Sequence, residues 1–152
     1  MTLENLLAIH KLQRFEASAV GVQRLLAAAS RNLADAGIAA LSSENRFDAA
    51  YKAIMQCAMI ALWANGYRTS TSQPGHHQTA LQVLPKTLAL ERDVVIVLDA
   101  LRKQRNQNDY EGDPVSDSAV AECCKQAAFL LEHTQAWLRK NRPDLLAGMV
   151  QP

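Results

Sequence analysis

Aromatic side chains make up only 5% of this 152-residue chain, and runs rich in β-branched residues are nearly absent. That scarcity argues against a sheet architecture, because strands draw heavily on both kinds of residue. The one exception, Val94-Val95-Ile96-Val97-Leu98, lies between Leu88-Ala89-Leu90-Glu91-Arg92 and Leu101-Arg102-Lys103-Gln104. Those flanks are good helix formers, so it reads as a buried helical segment, with a strand as the alternative. Cysteines number three, Cys57, Cys123 and Cys124, without CxxC spacing. This excludes a disulfide scaffold and points to buried thiols in a reducing compartment. Formal net charge is +1, too little for a protein that coats nucleic acid, so any such contact must be local. No stretch approaches the roughly 18 apolar residues of a membrane span, and no signal peptide is evident. A Gly-rich phosphate loop, a nucleophile elbow, a helical Glu-x-x-His pair and zinc-ligand spacing are all missing. The chain is expected to be cytoplasmic and to need no cofactor and no metal.

What is present is alanine and leucine in a chain that is 49% hydrophobic. A short helix begins with Leu3, Leu6, Leu7 and His10, and a second runs from about Ser18 to Ala40 with Val22, Leu25, Leu26, Ala29, Leu33 and Ala36 on one face. Ser42 or Ser43 caps a third, on which Phe47, Tyr51, Ile54, Ala58 and Leu62 form one stripe and Met55, Met59 and Trp63 another. Gly66 ends it. Residues Tyr67 to Thr79 read as a polar loop with a Pro-Gly turn, followed by a shorter helical piece through Leu84. A helix from about Leu88 to Asn108, a Gly112-Asp113-Pro114 break, and a last long helix from Pro114 or Ser116 to Pro143 complete the pattern. The expected fold is all-α: an antiparallel up-and-down helical bundle of four to five main helices, one domain over residues 1–142 with a flexible tail at 143–152.

One position breaks the pattern. Val94, Val97, Leu98 and Leu101 form the buried stripe of their helix, and the next step of four lands on Arg105. A guanidinium there needs a carboxylate, a subunit interface or an anionic ligand such as phosphate. Arg102 and Lys103 beside it are explained by the negative end of the helix dipole.

Arg105, followed by Asn106 and, at the fifth position, by Tyr110, resembles the Arg-x(4–6)-His signature of HEPN domains. The segment Glu44-Asn45-Arg46-Phe47-Asp48-Ala49-Ala50-Tyr51 is similar to the one preceding the central helix of that family, and the helix order fits over about residues 15 to 142. The actinobacterial SAV_6107-like group is the part of the family it resembles. The resemblance implies a homodimer that binds RNA or a nucleotide and, in active members, a metal-independent ribonuclease, often a toxin paired with a minimal nucleotidyltransferase antitoxin. Here Tyr110 stands where the family has histidine. A phenol titrates near pH 10 and is a weak general base. Arg105, Asp109 and Tyr110 are then the catalytic candidates, with Arg102 and Asn106 as binding residues.

His76 and His77 follow a donor-rich stretch, Arg68-Thr69-Ser70-Thr71-Ser72, so Arg68, His76 and His77 are candidates for phosphate or partner contact. A solvated loop is the plainer account, and a metal-dependent hydrolase built on the two histidines is a distant third, since adjacent histidines rarely ligate one ion. The rival to the ribonuclease reading is a non-catalytic dimeric module in which Arg105 pairs with Asp109 or with a carboxylate of the other subunit.

Overall fold

Serine and threonine start the helices. Thr2, Ser18, Ser42 and Ser116 each accept a hydrogen bond from the backbone N–H three residues on, at 3.0–3.1 Å, and so satisfy one orphan donor of the first turn. The computed structural model describes residues 2–149. In chain order the elements are α1 (Leu3–Ala8), β1 (Leu12–Arg14), α2 (Ala19–Ala36), α3 (Ser43–Ala64), β2 (Tyr67–Thr69), α4 (His76–Gln82), α5 (Leu84–Thr87), α6 (Arg92–Glu111) and α7 (Asp117–Asn141), closed by a 3-10 turn over Pro143–Leu146. The protein is an all-α helical bundle with one two-stranded ribbon.

Helix α3 is central. Phe47, Ala50, Tyr51, Ala53, Ile54, Cys57, Ala58 and Ile60 are all buried, and the alanines let α2 and α7 approach its axis closely. Helices α4, α5 and α6 pack against the rest of its surface. No helix of the described residues is long and apolar enough to cross a membrane.

Four local expectations change, one being that α6 begins at Arg92 rather than near Leu88, since Ala89 takes a left-handed backbone at φ +55°. Helix α2 ends at Ala36 rather than running to Ala40, because Gly37 takes over the cap and Arg46 Nε donates to the Ala36 carbonyl at 2.8 Å. The segment from Tyr67 to Thr79 is not one polar loop. Tyr67–Thr69 pairs antiparallel with Leu12–Arg14, in the register Leu12 to Thr69 and Arg14 to Tyr67, and His76 and His77 open α4. The ribbon buries Leu12 and Tyr67, which explains why so short a pairing forms. Residues 143–149 also depart from a flexible tail. Leu145 is buried, Gln23 Nε2 donates to the carbonyls of Leu145 (3.2 Å) and Ala147 (2.9 Å), and Arg142 donates to the Ala64 carbonyl at the end of α3. The last part of that expected tail, residues 150–152, lies outside the described residues.

Candidate anion-binding site

The buried stripe of α6 runs through Leu98 and Leu101 and then meets Arg105, whose side chain is 34% exposed. Its guanidinium carbon sits 5.5 Å from the centroid of the Tyr51 ring, and its Nε pairs with Asp109 at 3.0 Å. The carboxylate paired with Arg105 is thus on its own helix, one turn on, while Asp48 on α3 also feels its charge. A half-exposed i,i+4 pair contributes only about 0.3–0.5 kcal/mol, so it leaves the cation available for exchange. The Tyr51 ring lies within cation–π range of the guanidinium.

Tyr51 is buried in α3 and puts its hydroxyl 3.2 Å from Nδ1 of His77 at the start of α4. Burial pushes the phenol up to about 12, against the opposing pull of Arg105 and Arg102, so it stays protonated. Burial also lowers the pKa of His77, helped by His76, Arg105 and Arg102, and keeps the imidazole neutral near pH 7. The phenol hydroxyl both donates and accepts, so it can hold either ring tautomer. At the rim Asp48 has its pKa raised by burial and by Asp109, while Arg105 opposes the rise. Asp48, Tyr51, Lys52, His77 and Arg105 line one groove of about 650 Å³. It holds a permanent cation, a neutral base and a neutral phenol side by side, a set suited to gripping a phosphate and moving a proton next to it.

The residues expected from the sequence divide accordingly. Arg105 and His77, read as parts of separate segments, meet in the groove. Asp109 touches Arg105. Arg102 is committed to Asp99 at 2.8 Å, and its charge still reaches Tyr51 and His77. His76 stacks edge-on against His77, with ring centroids 4.7 Å apart, outside the groove lining. Asn106 does not line it either. Tyr110 is 86% exposed: five residues on an α-helix turn the side chain about 140° from Arg105, so it is not a member of this site. Arg68 belongs to the ribbon, bonded to Gln13 and lying over the Phe15 ring at 5.3 Å. Tyr51, Asp48 and Lys52 escaped the sequence reading. The available signal was the polar pair Asp48 and Lys52, one turn apart on either side of Tyr51. A second groove of about 540 Å³, bordered by Lys11, Lys86 and Arg92, carries no acid–base group of this kind.

Among the described residues no three or more His, Cys, Asp or Glu side chains come together as metal ligands. Compared with protein-family models and with curated proteins, the chain matches none.

Proposed function

We propose that this chain is an HEPN-like RNA-binding bundle that seats a phosphodiester against Arg105 and cleaves it without a metal, His77 carrying the proton. The observation that carries the reading is the meeting of Arg105, Tyr51 and His77 in one groove. The Arg105 helix lacks the family's histidine, and α4 supplies an imidazole from elsewhere in the chain. Neutral His77 takes the proton from a ribose 2′-hydroxyl, and the freed oxygen attacks phosphorus to form a cyclic phosphate. As the bond from phosphorus to the 5′-oxygen breaks, the imidazolium returns its proton to that oxygen. Arg105 offsets the charge that grows on the phosphoryl oxygens, exchanging its Asp109 contact for the substrate. Tyr51 orients the imidazole.

Cleavage of a single-stranded RNA in chelator is expected to fall about 100-fold or more in Arg105→Ala and in His77→Gln. Tyr110→Phe should match the parent protein. Undiminished cleavage by Arg105→Ala would remove the reading.

The Arg105–Asp109 pair itself favours a second reading: a non-catalytic homodimeric module that binds a protein such as a minimal nucleotidyltransferase. A dimer in solution that shows no affinity for RNA, with Arg105→Ala leaving dimerisation intact, would select it.

A further inference from the structure

Beyond Phe47, the side chains of α3 that are not buried are Asp48, Ala49, Lys52, Gln56, Met59 and Trp63. At about 100° per residue they all fall within one arc of about 100°, so they form the single strip of the central helix that the bundle leaves open. The strip starts in the groove, where Asp48, Lys52, Gln56 and Met59 line the wall opposite Arg105 and His77. Met59 is also a wall of a smaller hollow of about 200 Å³, which it shares with Leu62, Trp63, Arg68 and Thr71. The two concavities therefore meet at one side chain and follow one another along the helix. Trp63 lies twelve residues from Tyr51, about 18 Å of helix rise.

At the far end of the strip the side chains are flat. Trp63 packs against Phe15 with ring centroids 5.1 Å apart, and the Arg68 guanidinium carbon lies 5.3 Å from the centre of the Phe15 ring. Half-buried Trp63 and exposed Arg68 both line the smaller hollow. Indole rings and guanidinium planes are surfaces on which unpaired bases stack. Along the two concavities the lining carries Arg105, Lys52 and Arg68 against one carboxylate, Asp48. That excess of cations beside apolar walls fits a polyanion with flat side groups better than it fits an apolar protein segment. We propose that the open strip of α3 is a track for single-stranded RNA, in which a base a few nucleotides from the phosphate at Arg105 stacks on Trp63. The inference rests on the reading of Arg105 as the phosphate ligand. At about 3.4 Å per stacked nucleotide the distance accommodates about five nucleotides, and fewer in an extended strand. Every base has a π face, so the track holds a strand without reading its sequence. Stacking neutralises no phosphate, so it raises affinity without steepening the salt dependence.

The test uses two 2′-O-methyl hexamers, which resist attack by the 2′-oxygen: oligo(U) and an abasic chain with the same phosphates, each measured by fluorescence anisotropy. Oligo(U) is expected to bind about tenfold more tightly than the abasic chain, the size of one base–aromatic stack. Trp63→Ala should remove that difference and leave the abasic chain unchanged, and Trp63→Phe should keep most of it. In a Trp137→Phe background Trp63 is the one remaining tryptophan, and its emission should be quenched by oligo(U) and not by the abasic chain, a readout that leaves the ring in place. Equal affinity of the parent protein for both chains, lost in Arg105→Ala, would overturn the track and leave the phosphate site standing. Preference for oligo(U) that survives Trp63→Ala, or Trp63 emission that oligo(U) leaves unchanged, would also overturn it. Affinity for both chains that Arg105→Ala leaves intact would overturn the phosphate reading and with it a track that starts there. No binding of either chain would overturn both and leave the strip to a protein segment.

Discussion

At the scale of single residues the chemistry depends on what burial does to titratable groups. His77 has a folded pKa below the ordinary value of about 6.5, so below that pH the unfolded chain takes up a proton that the folded chain resists. Its contribution to stability is complete above about pH 6.5 and is lost as pH falls through the folded value. Asp48 works in the opposite sense and lower window: its raised pKa makes the folded state the better proton acceptor as pH falls toward 4. Between pH 7.5 and 5 the urea midpoint should therefore fall more steeply in the parent protein than in His77→Gln. In an NMR titration the His77 ring should show a midpoint below 6.5 that moves upward when phosphate is added, because an anion favours the imidazolium. An unmoved midpoint would separate His77 from the anion site. The cysteines show the same burial effect. The thiols of Cys57 and Cys123 are pushed up to about 12, which leaves almost no thiolate near neutral pH. Alkylation of the native protein at pH 7.5, read by mass spectrometry, should spare both and reach them only in denaturant.

Among the elements, the long helices were legible because their signal repeats. On α3 the apolar stripe recurs over about four turns from Phe47 to Leu62, with a serine cap before the helix and Gly66, at φ +91°, just beyond it. The same holds for α7, which starts at capped Ser116. The β1–β2 ribbon was not legible: each strand has three residues, too few for an alternation to register, and the partners lie more than fifty positions apart. The end of the chain was misread for a related reason. Pro143 does stop α7, but the proline says nothing of Leu145, which is 2% exposed because α2 and α7 offer it a socket and Gln23 ties down the backbone beside it. Leu145→Ala should accordingly lower unfolding free energy by about 2–5 kcal/mol, measured by denaturant titration, as expected for a core leucine. A change within about 0.5 kcal/mol would return these residues to a loosely held tail.

For the whole molecule, a net charge of +1 means that the proposed RNA binding has to draw on the groove and not on a general field. With Arg105 and Lys52 as the cations in reach, the logarithm of the binding constant should fall against the logarithm of salt with a slope of about −0.7 to −1.4, at roughly 0.7 per phosphate neutralised on a single strand. A slope several times steeper would indicate an extended basic surface instead. Helix periodicity and caps are written in residues three or four apart, so the helical class, the two apolar stripes of α3 and the anomaly of Arg105 were all present in the sequence. Only the tertiary structure decided what Arg105 faces. Helix α4 packs against both α3 and α6, and that packing brings His77 to Tyr51 across 26 positions and both beside Arg105, while it leaves Tyr110 in water. Such proximity follows from how helices stack and where the chain reverses, and no local spacing of residue types encodes it.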